Sequence, residues 1–278
     1  MLENTIRVWK LSEEAGAVEF DMPDATSLDA VTRQLPQGFY STFRTYDGGK
    51  RVLGLRAHLE RLYQPAEVQQ IKPGVPANLL RSHLVKILGE YPGEARVRVI
   101  MTSAGHIYLV LSHLKSLLVE VYSQGVKVAT TDVQRQNPRL KSTAFISASE
   151  STRAQIAGSD IFEALIVHNE FFLEGITSNF FYIKDGQLGT AREGILLGVT
   201  RGIVLRVARG SGFRIVYRAL KREQVPDLSE AFITSSSRGI VPVIQIDDMP
   251  VGEGRPGSMT KRLSKAFDEY VIRHAEII

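Results

Sequence analysis

Stretches whose apolar residues recur at every second position alternate along this chain with stretches in which they recur every three or four. The first pattern belongs to a strand with one buried face and the second to a helix. A chain that switches between them repeatedly folds as α/β or α+β, and 278 residues suit two domains. Short strands are expected near Ile6 and Val18, with a Pro23-Asp24 turn. The clearest strand is Gly38–Tyr46, closed by Asp47-Gly48-Gly49. Residues 55–70 read as a helix burying Leu59, Leu62, Tyr63 and Ala66, which Pro65 should kink or shorten. A second helix covers 76–88, with Gly89 as its stop. Strands at 96–102 and 106–113 complete a first domain, 1–118.

The second domain, 119–278, opens with a strand at 126–133. A loop through Asn137-Pro138 then delivers Lys141 to a helix ending near Gly158. Strands follow at 163–168, 179–184 and 187–191, the last two joined at Asp185-Gly186. Leu197-Gly198-Val199-Thr200 leads into a helix with Ile203, Val204, Val207 and Ala208 on its buried face. Strands at 213–218 and 231–234, a hairpin through Asp247-Asp248 and a last helix from near Ser258 finish the pattern.

Composition excludes several classes. The chain has no cysteine, so disulfides and thiolate metal sites are ruled out and a reducing, cytoplasmic setting fits. No apolar run approaches the roughly 18 residues of a membrane span, and the first residues show no apolar leader. The net charge of +4 comes from scattered residues, with no Lys/Arg run of five. That favours a solvated surface over a nucleic-acid face. The six histidines lack metal-ligand spacing and no nucleotide-binding glycine fingerprint is present.

Several residues carry a plain reading, and some a chemical one beside it. Lys141 is a surface charge, or an amine half-buried before the apolar Phe145-Ile146. Glu174, an acid beside Gly175, reads as a turn. Thr200 is an ordinary helix N-cap, or a hydroxyl aimed with the first helical N–H groups, beside Val199, at an anion. Ser235-Ser236-Ser237, at a strand end, is a polar loop. Arg61 is an ordinary helix-face charge with Glu60 nearby.

Read together, the strings His58-Leu59-Glu60-Arg61-Leu62, the Lys141 loop, Glu174-Gly175-Ile176-Thr177-Ser178-Asn179 and the serine turn before Pro242 resemble the class IV, fold type IV, pyridoxal-phosphate enzymes. The resemblance runs from about Gly38 to about Phe267. That family includes branched-chain and D-amino-acid aminotransferases and aminodeoxychorismate lyase. It implies a smaller N-terminal α/β domain and a larger, barrel-like C-terminal one. It implies pyridoxal 5'-phosphate held as a Schiff base on Lys141, with Glu174 at the pyridine nitrogen. Arg61, Thr200, Ser235 and Ser236 would hold the phosphate, with Val199 alongside and Ser178 and Asn179 bracing the loop. Tyr40 would face the substrate. Arg98, or Arg96, would bind its carboxylate; strand alternation is expected to turn these two opposite ways. The activity implied is ping-pong transamination between an amino donor and a 2-keto acid in a homodimer, with the site at a domain and subunit junction. Pyruvate elimination by a lyase, and a non-catalytic binding protein on the same fold, are the alternatives. The substrate side departs from the family pattern, because Ser41 stands where many members carry a glutamate after the aromatic.

Overall fold

The computed structural model describes residues 5–23 and 25–278. The leader reading at residues 1–4 and the Asp24 half of the expected Pro23-Asp24 turn fall outside the described residues. The chain groups into two compact units. The first is Met1–Lys115 with Leu140–Ser147 and His274–Ile278; the second is Ser116–Arg139 with Ala148–Arg273. The sequence did not signal that the Lys141 segment and the C-terminus return to the first unit.

The first unit contains β1 (Arg7–Ser12), β2 (Gly16–Glu19), α1 (Leu28–Gln34), β3 (Gly38–Tyr46), β4 (Arg51–Val52), α2 (Leu55–Val68), α3 (Ala77–Glu90), β5 (Ala95–Thr102) and β6 (Ile107–His113). With the C-terminal strand Glu276–Ile277 these form a seven-stranded sheet, ordered Glu276–Ile277, β4, β3, β5, β6, β1, β2. Successive residues alternate between two faces. Phe39, Phe43, Val97 and Leu109 pack on Leu59 and Leu62 of α2 and Leu80 and Leu84 of α3. Tyr40, Ile100 and Tyr108 pack on Leu28 and Val31 of α1. Two helix ends differ from expectation. Pro65 neither stops nor shortens α2 to its own position; the helix continues to Val68, because Leu62 and Ala66 are buried on either side of it. Gly89 lies inside α3, which ends at Glu90. The stop is Pro92, which disfavours helical backbone at Tyr91. Tyr63 is half-buried, its hydroxyl donating to the Val75 carbonyl at 2.7 Å.

Further along the chain come α4 (Val119–Gln124), β7 (Val126–Thr131), α5 (Ala144–Ala148), α6 (Glu150–Ile156), β8 (Ile161–His168), β9 (Phe171–Gly175), β10 (Asn179–Lys184), β11 (Gln187–Thr190), α7 (Val199–Gly210), β12 (Ile215–Tyr217), β13 (Leu220–Lys221), β14 (Glu230–Ser235), β15 (Gly239–Ile246), β16 (Met249–Pro250) and α8 (Ser258–His274). In the second unit β10, β14, β15, β7, β8 and β9 pair in that order, and β9 pairs back to β10 through Glu174 and Asn179. The sheet therefore closes into a barrel, and its core includes Phe172, Phe180, Ile233, Val241 and Val243. The single helix expected after Lys141 is two short ones, α5 and α6. Strand β9 was not anticipated. It follows a hairpin turn at Asn169-Glu170, where both residues have positive φ, 48° and 66°. That geometry usually calls for glycine, so the usual sequence mark is missing.

Candidate functional site

In the first unit the Lys141 segment is fixed by backbone pairing beside the start of β3. Phe39 and Ser142 form an antiparallel bridge. The Tyr40 N–H donates to the Lys141 carbonyl at 3.0 Å, and the Thr143 N–H to the Gly38 carbonyl at 2.9 Å. The Thr143 hydroxyl in turn accepts the Gly38 N–H at 2.9 Å. This anchoring sets the Lys141 ammonium 4.8 Å from the centre of the Tyr40 ring. The Arg98 guanidinium lies 4.7 Å from the same ring. A buried aromatic ring thus has two cations within reach of its electron-rich system.

Arg98 is buried and committed within the fold. It forms an ion pair with Asp29 at 2.7 Å and donates to Thr42, Thr32 and the Leu28 carbonyl. The expectation that Arg96 and Arg98 face opposite ways is wrong, because positions two apart on a strand share a face. Arg98 stands opposite Thr42 and Arg96 opposite Arg44. They differ because Arg98 lies beneath α1, whereas Arg96 is exposed near the start of β5.

One turn of α2 carries His58 and Arg61. His58 and Ser41 are both buried, and Ser41 Oγ lies 2.8 Å from His58 Nδ1. Burial pushes the imidazole well below the usual histidine range, and the charges of Arg61 and Lys141 push it further. Ser41 thus has a structural partner that the sequence did not suggest.

The second unit holds the acid and a set of hydroxyls. Glu174, on β9, is 2% exposed. A carboxylate at that depth requires partners. Arg135 Nε donates to its Oε1 at 2.7 Å. Asn179 Nδ2 and the Leu196 N–H donate to its Oε2 at 3.0 and 3.1 Å. Asn179 also donates to the Leu196 carbonyl at 2.8 Å, so it braces the loop that precedes α7. That loop passes close by: a Cβ on Gly198 would stand 2.0 Å from Asn179 Oδ1.

Helix α7 starts at Val199 with Gly198 as its N-cap. The N-cap reading of Thr200 therefore fails. Its hydroxyl points instead to Ser236, Oγ to Oγ at 2.9 Å. Two hydroxyls from distant parts of the sequence meet at the first turn of a helix, where N–H groups and the dipole favour an anion. Arg201 adds a buried cation in that turn. Its Nη2 donates to the Ala191 carbonyl at 2.9 Å. Its Nε is buried without a hydrogen-bond partner. Burial lowers its pKa from the ordinary arginine value, and the Glu174 charge partly opposes that.

Ser178 and Ser235 serve another network. The Ser178 hydroxyl donates to Glu163 at 3.2 Å rather than to backbone. Ser235 Oγ accepts from Arg238 Nε at 3.0 Å. The sequence reading missed Arg135, Glu163, Arg238 and the side chain of Arg201. The signal available was the arginine count itself, since a buried carboxylate requires a buried cation, but sequence does not say which arginine.

Comparison with known proteins identifies the family of the chain. The family model described as "Amino-transferase class IV" matches residues 38–246. A branched-chain-amino-acid aminotransferase of Pseudomonas aeruginosa is 26% identical, the alignment covering 94% of this chain and 94% of that protein. Two solved structures share the fold. The T.th. branched-chain amino acid aminotransferase with pyridoxamine 5'-phosphate superposes with a TM-score of 0.81 at 20% identity, covering 99% of this chain and 96% of that one. The Escherichia coli branched-chain amino acid aminotransferase gives 0.79 at 21% identity, with 97% and 96% covered.

Proposed function

Because this chain belongs to the class IV aminotransferase family, we propose that it uses pyridoxal 5'-phosphate to move an amino group from an amino acid to a 2-keto acid. The observation that carries the cofactor is the contact of Thr200 Oγ1 with Ser236 Oγ at 2.9 Å, at the first turn of α7. Paired hydroxyls, helix N–H groups and a nearby buried arginine are what a phosphate ester requires. The glycine at 198 leaves no Cβ against the Asn179 amide, so the loop can enter α7 there. The residues fit the group.

When bound, the cofactor supplies a protonated ring that withdraws electrons from the bond being broken. Lys141 is the amine that attaches it and then carries the proton to and from the substrate α-carbon. Glu174, with Arg135 and Asn179 fixing its orientation, accepts the ring N–H. Thr200, Ser236 and the N–H groups after Val199 bind the phosphate, with Arg61 as a further cation. Tyr40 orients Lys141 and borders the substrate. The acceptors that already surround Arg98 support a role as a strut beside Tyr40 in preference to carboxylate binding. The relative's name makes branched-chain amino acids the first donors to test. A homodimer belongs to the same reading, tested by sedimentation. No helix among the described residues is long and apolar enough to cross a membrane.

The test is direct. Purified protein mixed with pyridoxal 5'-phosphate should turn yellow and, after borohydride reduction, carry the added mass on the peptide containing Lys141. Lys141→Ala should carry none. A panel of L- and D-amino acids should then convert the bound group to its amine form, with keto acids reversing the change. A protein that stays colourless, or a label elsewhere than Lys141, removes the proposal.

A further inference from the structure

Arg238 sits in the turn between β14 and β15, immediately after the three serines, and the function above gives it no role. Its side chain connects two segments that the sequence keeps far apart. On one edge of the guanidinium, Nε donates to Ser235 Oγ at 3.0 Å. On the same edge, Nη2 donates to Glu163 Oε2 at 3.1 Å and to the Thr177 hydroxyl. Glu163 is 2% exposed. It also accepts from the hydroxyls of Thr177 and Ser178 and from the Ala164 N–H. The loop after Glu174 is drawn tightly onto this acid: a Cβ on Gly175 would meet Ser178 Oγ at 2.2 Å and Glu163 Cγ at 3.1 Å. The backbone of Arg238 is held as well, its carbonyl accepting from the Tyr122 hydroxyl at 3.0 Å. The Phe162 ring lies 5.2 Å from its guanidinium.

We infer that Arg238 is a positioning residue: its bonds to Ser235, Thr177 and Glu163 lock the serine turn to the Glu174 loop, so that Ser236 is held where it meets Thr200. The inference rests on the phosphate reading of those two hydroxyls. A planar guanidinium does this because the parallel N–H groups along one edge hold two neighbouring partners, one from each segment, in a fixed relation. A lysine ammonium has no such fixed geometry. Without the lock, the serine turn loses its tie to β8, and the Ser236 hydroxyl is no longer set for an anion.

The experiment compares pyridoxal 5'-phosphate with pyridoxal, which lacks the phosphate, as ligands of wild type, Arg238→Met, Arg238→Lys and Thr177→Val. Affinities are read by absorbance, and the fold of each cofactor-free protein by circular dichroism. The expected result for Arg238→Met is a loss of affinity for pyridoxal 5'-phosphate of about tenfold, or ~1.4 kcal/mol, with pyridoxal changed little. Arg238→Lys should recover only part of the loss, and Thr177→Val should shift the same ratio in the same direction. An unchanged ratio of the two affinities overturns the inference, and so does an equal loss for both ligands, which marks general damage. If Arg238→Met does not fold, the ratio in the other two variants decides. A wild-type protein that binds pyridoxal 5'-phosphate no better than pyridoxal sinks the phosphate reading itself, a result distinct from a variant that merely behaves like wild type.

Discussion

Glu174 and Glu163 lie on paired neighbouring strands of one barrel, are equally buried, and each has an arginine, yet the two pairs are built differently. Arg135, beside Glu174, is 4% exposed, whereas Arg238, beside Glu163, is 21% exposed. Both oxygens of Glu174 are held by donors that leave it little freedom to turn: a guanidinium, a side-chain amide and a backbone N–H. Glu163 gathers two hydroxyls and a guanidinium on a single oxygen, and those donors come from two loops. A carboxylate held by fixed donors is an oriented acceptor, suited to act on a ligand. A carboxylate gathering donors from separate loops is a fastener. The surrounding donors, rather than depth or charge, separate the two roles.

That contrast is open to measurement. The largest effect should come from Glu174→Gln, which keeps the shape but removes the charge that the proposed function sets against the ring nitrogen. Transamination should fall by roughly 10²–10³-fold while pyridoxal 5'-phosphate still binds. If Glu163→Gln slows turnover as much, the assignment of the two acids is wrong. Next is Arg135→Met, which strands a buried charge. It should lower unfolding stability by about 3–5 kcal/mol, read as a fall in the urea midpoint. Arg238→Met, whose pair is partly solvated, should cost only about 1–2 kcal/mol in the cofactor-free protein. Equal losses would erase the distinction between orienting and fastening pairs.

The smallest effect sharpens the comparison from the first unit, where a buried titratable group has cations instead of acids as charged neighbours. His58 has a folded-state pKa well below the ordinary value, so the unfolded chain takes up its proton first. Its contribution is therefore intact above about pH 6.5, and stability declines by up to ~1.4 kcal/mol per unit as pH falls below that, until the folded value is reached. Urea midpoints at several pH values should show the slope, and His58→Gln should flatten it. A slope unchanged in that variant assigns the effect to other groups.

Much of the architecture was readable beforehand where a strand or helix buries one face. Strand β3 was bounded correctly because its alternation ends at a glycine turn. The strings around Arg61, Lys141 and Glu174 carried the family resemblance. Strand β9 escaped because its turn uses Asn169-Glu170, and the helix stop at Gly89 failed because Pro92 was the stronger breaker. The supporting residues Arg135 and Arg238 escaped because each sits in a loop or turn and pairs with an acid on a strand, which leaves no periodic trace.

By itself the sequence determined the alternating α/β pattern, and local motifs pointed to a lysine, an acid and a hydroxyl-rich turn. Both are local, written in side chains a few positions apart. Only the tertiary structure decided that Thr200 meets Ser236, that Arg135 pairs with Glu174, and that Arg98 is occupied by α1 rather than open. The physical reason is that a buried polar group takes whichever partner the closed barrel or the covered sheet brings within about 3 Å. That partner is set by strand order and register, which join residues far apart in the chain.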